Sequence, residues 1–498
     1  MMYISTRGGD ERVSSAQAIA QGIAKNGGLF VPEELPEITE QELTALMDMS
    51  YPRRAARVLS KFLTDYTEQE LLGYAEKAYS GERFTGAGGA APVHELDGSI
   101  SVLELFHGPT CAFKDMALQI MPHLLSGALE KTGASGDAFI LTATSGDTGK
   151  AALDGYRDVP RVRIMVFYPV HGVSRVQKLQ MSTQEGENVM VCPVKGNFDD
   201  TQTGVKRIFT DPDAKEYLAK RGYFFSSANS INWGRLAPQI VYYVSAYCDM
   251  VRSGRLALGE ELDVSVPTGN FGDIFAAYIA KRCGLPLGRL VCASNRNRIL
   301  TDFLTSGTYD RNRDFYTTMS PSMDILISSN LERLLWFIAG PAATRGFMES
   351  LTSGGSYTVP DSVLAAARRD FYGASCNEEQ TSACIRNTYE ENGYLIDPHT
   401  AVGLHCAREY IESENPRNKL LCVSTASPYK FASSVYPALT GKKPEDEFEC
   451  IDELARLTGV TPPAPLSGLR SKAIRFDPDK YCMPEDMPEC VKRFADKG

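Results

Sequence analysis

Apolar residues along the chain come in short runs, and each run closes on a turn of Gly, Ser, Thr, Asn or Asp before a stretch with helical spacing. Runs at 138–144, 162–168 and 189–194 lead into Ser145-Gly146-Asp147-Thr148-Gly149, a helix headed by Ser174, and Gly196-Asn197-Phe198-Asp199-Asp200. Runs at 223–226, 262–268 and 420–424 lead into Asn229-Ser230-Ile231-Asn232, Gly269-Asn270-Phe271-Gly272-Asp273 and Thr425-Ala426-Ser427-Pro428. Continuous short apolar runs alternating with helical patterns predict an α/β protein with a largely parallel sheet. An earlier run, Val102, Leu103, Leu105 and Phe106, alternates with Ser101 and Glu104. It predicts a half-buried strand ending at Gly108-Pro109, with a helix starting soon after. In such folds ligands sit beyond the carboxyl ends of the strands, so the polar turns are expected to converge on one site.

Three regions follow from the same pattern. Residues 1–85 read as mostly helical, with helices expected near 14–25, 40–49 and 68–80, and end at the Gly-rich stretch Gly86-Ala87-Gly88-Gly89. Residues 86–441 hold the strand-and-helix core, and 442–498 form an acidic, then Pro-rich tail without a long apolar run, expected to be peripheral. No internal repeat of fixed period and no low-complexity segment stands out.

Composition narrows the function classes. The chain has 498 residues, 43% hydrophobic and 23% charged, with 52 basic against 62 acidic residues and a formal charge of −10. Without basic blocks, nucleic acid is not an expected partner. Residues 1–20 carry Arg7, Asp10, Glu11 and Arg12 and no apolar run, and no later stretch is long enough to span a bilayer, so neither secretion nor a membrane is expected. The twelve cysteines include no Cys-x-x-Cys pair, and the six histidines never fall at ligand spacing with them, so reduced cytoplasmic thiols and no metal are expected.

The candidate chemistry begins at Lys114, within His107-Gly108-Pro109-Thr110-Cys111-Ala112-Phe113-Lys114-Asp115. A lysine at a helix start is ordinarily a solvated side chain. Here Phe113 and the residues from Met116 to Ile120 supply apolar neighbours, and desolvation lowers an amine's pKa towards its nucleophilic form. The turn Gly269-Asn270-Phe271-Gly272 before a helix starting near Ile274 suits a phosphate, because glycines let backbone N–H groups face inward at a helix N-terminus; the Asp273 side chain reads as helix capping. Neither a P-loop nor a Gly-x-Gly-x-x-Gly follows any strand, so the phosphate belongs to neither a P-loop nucleotide nor NAD. Hydroxyls at Thr144, Ser145 and Thr148 suit a carboxylate, Arg235 could clamp a second anion, and Thr425 could meet a neutral ring nitrogen. Asp397-Pro398-His399-Thr400 reads as N-capping of a helix from Ala401, with His399 structural.

Taken in order, these segments resemble the threonine synthase family of the longer bacterial and fungal type, within the fold-type II pyridoxal-phosphate enzymes. The likeness runs from Met2-Tyr3-Ile4-Ser5-Thr6-Arg7-Gly8 and Gly27-Gly28-Leu29-Phe30-Val31-Pro32 through the turns named above to Asp397–Gly403 and Ser424-Thr425-Ala426. It implies two doubly wound, mostly parallel sheet subdomains with the site between them. It also implies roles: Lys114 holds pyridoxal 5'-phosphate covalently, Gly269, Asn270, Phe271, Gly272 and Asp273 cradle its phosphate, Asp147 lies beside its phenolic oxygen, and Thr425 faces its pyridine nitrogen. Thr144, Ser145, Thr148 and Gly149 would take the substrate carboxylate; Ser230, Asn232, Arg235 and Lys150 its phosphate. The implied reaction turns O-phospho-L-homoserine and water into L-threonine and phosphate. Another fold-type II lyase, or a threonine-synthase-like phosphate lyase, is the nearest alternative, and a non-catalytic ligand sensor is a further one. Ser427 and Tyr429 depart from the family's Thr-Ala-His-Pro-Ala-Lys-Phe, and monomer and homodimer remain equally open.

Overall fold

The computed structural model describes residues 1–498 except Ala87, Ser145 and Gly498. A six-stranded sheet runs in the order Phe371–Ser375, Leu287–Ser294, Leu262–Pro267, Lys419–Ser424, Ile100–Glu104, Val93–Glu95. All its neighbours are parallel except the last pair. A four-stranded, fully parallel sheet runs Val189–Val194, Val162–Pro169, Asp137–Ala143, Tyr223–Ser226. The six strands expected between 138 and 424 are present to within a residue at their ends, whereas the one expected to run to Gly108-Pro109 stops at Glu104. The strand before Lys114 also differs in burial: Ile100–Glu104 is buried at four of its five positions, with strands paired along both edges and its apolar side chains divided between two core clusters. Its polar Ser101 is simply enclosed, as parallel sheets require.

The N-terminal region is less helical than its pattern implies. Strands Met2–Ser5, Arg12–Ser14 and Phe30–Pro32 form a small antiparallel sheet, too short to show a two-residue period. Helices Ser15–Gln21, Glu40–Met47 and Glu68–Ala78 sit where expected, with Tyr51–Phe62 added between the last two. Ser14, Thr39 and Thr67 each close a capping box at their helix starts.

Residues 442–498 are docked rather than loose. Phe448, Ile451 and Leu454 of helix Glu447–Thr458 join the core under the six-stranded sheet. Met487, Val491 and Phe494 of helix Met487–Ala495 pack with Phe139, Met165 and Phe167 on the four-stranded sheet. Among the described residues no helix is long and apolar enough to cross a membrane.

Candidate active site

The carboxyl ends of both parallel sheets open on one cavity of about 410 Å³, a size suited to a small-molecule ligand. Its walls include Lys114, Asp147, Thr148, Ser230, Arg235 and Thr425, together with the turn from Gly269 to Asp273. Residues from turns after five different strands thus meet, as the convergence of polar turns predicts.

Lys114 directly precedes the short helix Asp115–Leu118. Its turn is zipped to the turn after Lys419–Ser424: Phe113 N–H donates to Thr425 O at 2.7 Å and Ser427 N–H to Cys111 O at 3.0 Å. Asp115 fixes the bend by accepting from Thr110 N–H and Oγ1 at 2.8 and 2.7 Å. The Lys114 side chain is 10% exposed, with Nζ 4.9 Å from the Phe113 ring centroid, 3.3 Å from Ser322 Oγ and 3.8 Å from Asp147 Oδ2. Burial pulls its pKa down to about 8; Asp147 opposes that pull, while Arg235 and Lys430 reinforce it. The amine is thus poised near neutrality, the condition a nucleophile and base requires.

Asp147 heads helix Asp147–Tyr156 and is the electrostatic hub. It takes Lys430 Nζ at 2.8 Å, Gln177 Nε2 at 2.9 Å and Ser322 Oγ at 3.0 Å. Burial alone would raise its pKa, but Lys430 and Lys114 hold it well below the ordinary carboxylate range, so it is a fixed anion. Lys430, Gln177 and Ser322 escaped the sequence reading. Lys430 stands in the run after Thr425, but nothing in that run says that its stem crosses beneath the Lys114 turn, where Nζ also donates to Thr110 O at 2.8 Å.

The turn from Gly269 to Asp273 has the geometry to hold an anion. Phe271 adopts φ 62°, a left-handed conformation costly for a non-glycine residue, and starts helix Gly272–Arg282. The first intrahelical bond is Phe275 N–H to Phe271 O at 3.0 Å, so the N–H groups of Gly272, Asp273 and Ile274 precede the ladder. A Cβ on Gly269 would stand 3.0 Å from Ser322 O, which excludes any larger residue there without movement. Ser328 Oγ donates to Gly269 O at 2.9 Å, and Asn330 N–H and Nδ2 both donate to Asn270 O at 3.0 Å. Those buttresses, from 318–330, carry no motif legible in the sequence. Asp273 does not cap: Tyr242 and Tyr243 hydroxyls donate to its Oδ1, Oδ2 has no partner, and burial lifts its pKa to about 6. Only its backbone is suited to the cradle.

Arg235 lies in the first turns of helix Trp233–Arg252, 7% exposed, with Nη1 donating to Ala228 O at 2.9 Å. Among the described residues no carboxylate reaches it; burial lowers its pKa to about 10, still charged at neutrality. A buried cation facing a cavity without a counter-ion among the described residues is suited to an anionic ligand. Lys206 and Gln202, on helix Phe198–Thr210, also face this cavity and were not anticipated.

Lys150 and Asn232 lie outside the cavity walls, while Thr144 is part of them. Lys150 points from the cavity to Asp154, at 3.4 Å, and to Gln184 Oε1. Asn232 caps Trp233–Arg252 through Gly234 N–H at 2.9 Å and donates to Ile19 O at 2.9 Å, so it organises the turn from behind. Thr144 Oγ1 accepts from Gly146 and Gly149 N–H at 3.0 and 2.9 Å, which engages the Gly149 N–H that a carboxylate would have used. Ser145 lies outside the described residues. Asp397, not His399, is the cap of helix Pro398–Glu414, and the helix starts earlier than Ala401. His399 lines the cavity: Nδ1 bonds Asp397 Oδ1 at 2.7 Å and Nε2 accepts from Ser322 N–H at 3.2 Å, which assigns a neutral imidazole. The departures at Ser427 and Tyr429 are buried packing positions; Ser427 N–H bonds Cys111 O, and the Tyr429 hydroxyl bonds Val460 O.

A buried lysine of lowered pKa, a turn of inward N–H groups at a helix N-terminus and a hydroxyl after a neighbouring strand, set between two parallel sheets, belong to a fold-type II pyridoxal-phosphate-dependent enzyme. The family model for pyridoxal-phosphate dependent enzymes matches residues 87–426, that for the threonine synthase N terminus 2–79, and that for the threonine synthase C-terminal region 400–467. Threonine synthase of Pseudomonas aeruginosa is 39% identical over 447 residues, 89% of this chain and 92% of that one. The PLP-bound threonine synthase from Brucella melitensis superposes with a TM-score of 0.88 at 36% identity, covering 99% of both chains. The chain belongs to the threonine synthase family. Threonine synthase-like 1 of Pongo abelii is 41% identical over 462 residues, 89% of this chain but 61% of that protein, so the chain spans about three fifths of that relative.

Proposed function

We propose that the protein is a threonine synthase, converting O-phospho-L-homoserine and water into L-threonine and phosphate. The observation that carries this reading is the pairing, in one cavity, of a buried lysine amine beside an aromatic ring and a buried arginine that no carboxylate reaches among the described residues. The residues present fit pyridoxal 5'-phosphate: the turn from Gly269 to Asp273 offers N–H donors at a helix N-terminus, with glycine at Gly269 packed closely against Ser322 O. Lys114 would hold the cofactor covalently, and Thr425 would meet its ring nitrogen with a neutral hydroxyl. When bound, the cofactor supplies an electron sink that acidifies the substrate's Cα and Cβ protons.

The protein's own part is then proton traffic and charge placement. The Lys114 amine would remove the Cα proton and then serve the Cβ position; a pKa near working pH lets one group both accept and return protons. Asp147, fixed as an anion by Lys430, stabilises a neighbouring positive charge as that traffic proceeds. Thr148 and the Thr144 hydroxyl proton face the substrate carboxylate. Arg235, Ser230 and Lys206 take the phosphate on Cγ, and the charge gathered as it leaves strengthens those contacts most when the bond breaks.

A phosphate lyase that releases phosphate without adding water at Cβ would use the same residues. One assay separates them. Purified protein with O-phosphohomoserine is expected to form L-threonine and phosphate in equal amounts. Phosphate with 2-oxobutanoate and ammonia instead would make it a lyase, and bound cofactor without turnover a sensor.

A further inference from the structure

Twelve cysteines scattered along the sequence give no metal-ligand spacing, yet three of them meet in space outside the walls of the active-site cavity. Cys192 lies on strand Val189–Val194 at an edge of the four-stranded sheet, Cys482 on the crossing segment that follows Lys480, and Cys490 on helix Met487–Ala495. Cys192 Sγ is 3.5 Å from Cys482 Sγ and 3.9 Å from Cys490 Sγ, and all three sulfurs fall within 4.8 Å of one another. Among the described residues this is the only such grouping of potential ligands.

Each cysteine is positioned by backbone that does not depend on the others. Cys482 N–H donates to Pro193 O at 3.0 Å and Lys195 N–H to Cys482 O at 2.9 Å, laying the segment along the strand as an added parallel bridge. Arg207 Nη2 holds Pro484 O at 2.9 Å, and Met487, Val491 and Phe494 anchor the helix on the sheet. The three sulfurs are therefore assembled before any ion arrives.

We propose that Cys192, Cys482 and Cys490 form a binding site for a thiophilic divalent cation of the Zn²⁺ class. A zinc–sulfur bond of about 2.3 Å with tetrahedral angles puts ligand sulfurs about 3.8 Å apart, the spacing found here. A disulfide would need one pair to close to about 2.05 Å. Three thiolates on a divalent ion leave one net negative charge, and Arg493 Nη2, 3.2 Å from Cys490 Sγ, is placed to offset it. Solvent takes the fourth position, since Cys482 and Cys490 are only partly buried. Binding displaces the remaining thiol protons to solvent and staples the C-terminal segment to the sheet that presents the Thr144–Gly149 turn.

The test uses the full-length, cofactor-loaded protein, reduced, stripped with a chelator and titrated with Zn²⁺ or, for its ultraviolet thiolate-to-metal band, Cd²⁺. The expected result is one ion per chain, with that band, and a loss of at least 100-fold in affinity in Cys490→Ser and in Cys192→Ser. Because either variant could unfold, wild-type protein is also alkylated with and without Zn²⁺; selective protection of Cys192, Cys482 and Cys490, mapped by mass spectrometry, supports the site. No bound ion, protection of other cysteines, or equal affinity in the folded variants overturns it. So does a reduced protein that binds nothing and only forms a Cys192–Cys482 disulfide in air.

Discussion

At the scale of single residues the site turns on how two cations share one anion. Lys430, with a fully enclosed side chain, neutralises Asp147, and Lys114 stands at the edge of that pair. Removing Lys430 leaves the buried Asp147 carboxylate only the more distant Lys114 amine as counter-charge, so Lys430→Met is expected to cost about 3 kcal/mol in denaturant unfolding. It also removes a charge that depresses Lys114 and frees Asp147 to act on it, so the Lys114 pKa should rise. Asp147→Asn should do the reverse. In wild type the neutral fraction grows about tenfold per pH unit up to pH about 8, so capture of pyridoxal phosphate by cofactor-stripped protein should level off near there. Opposite displacements of that profile in the two variants are the outcome to measure; displacement in one direction for both would show that Asp147 does not control the amine. Lys114→Ala should abolish covalent cofactor and turnover while leaving the circular dichroism spectrum unchanged, and borohydride reduction with peptide mapping should place the pyridoxyl group on Lys114 alone. Arg235→Ala should raise KM for O-phosphohomoserine at least 10-fold with the cofactor's visible absorption intact; loss of that absorption would assign Arg235 to the cofactor instead.

At the scale of elements, close approaches set the geometry. A Cβ on Gly155 would lie 1.9 Å from Leu118 O, so glycine there lets helix Asp147–Tyr156 press against the short helix behind Lys114. Gly155→Ala should destabilise the fold by about 3 kcal/mol, because a backbone carbonyl must move. Gly269→Ala meets Ser322 O at 3.0 Å in a more open place. It is expected to leave Tm nearly unchanged and weaken cofactor binding about tenfold, roughly 1.4 kcal/mol, by equilibrium titration. The same logic explains what was legible. Strands 189–194 and 223–226 follow directly from their apolar runs and polar turns. Leu287–Ser294 and Phe371–Ser375 did not: the first carries Arg289, and the second is a short edge strand with Gly373 under Leu304. The turns at Lys114, Gly269 and Arg235 were readable because glycines and hydroxyls cluster after apolar runs. Ser322, Gln177 and Lys430 were not, since long-range packing alone brings them to Asp147, and Lys150 and Asn232 look like ligands only until their own helices claim them.

At the scale of the molecule, the N-terminal region is wired into the active site through one buried guanidinium. Arg333 Nε donates to Phe30 O at 3.0 Å, Nη2 to Ile231 O at 2.6 Å and Nη1 to Asn330 Oδ1. It thereby joins the small antiparallel sheet, the turn before Arg235 and the residue that holds Asn270. Its neighbour Glu332 takes Arg7 Nε and Nη2, both at 2.9 Å, and Thr6 Oγ1 at 2.6 Å, a second tie between the same regions. Burial lowers the Arg333 pKa to about 9, and each carbonyl it serves would otherwise be an unmet acceptor. Arg333→Met keeps much of the volume and removes the links. It should lower Tm and weaken pyridoxal-phosphate binding at least 10-fold together, since Asn330 loses the group that orients it against the phosphate turn. Glu332→Gln, which keeps an acceptor for Arg7, should move both quantities less. If Arg333→Met lowered Tm with cofactor affinity unchanged, the N-terminal region would be a stabilising cover rather than part of the cofactor site's support.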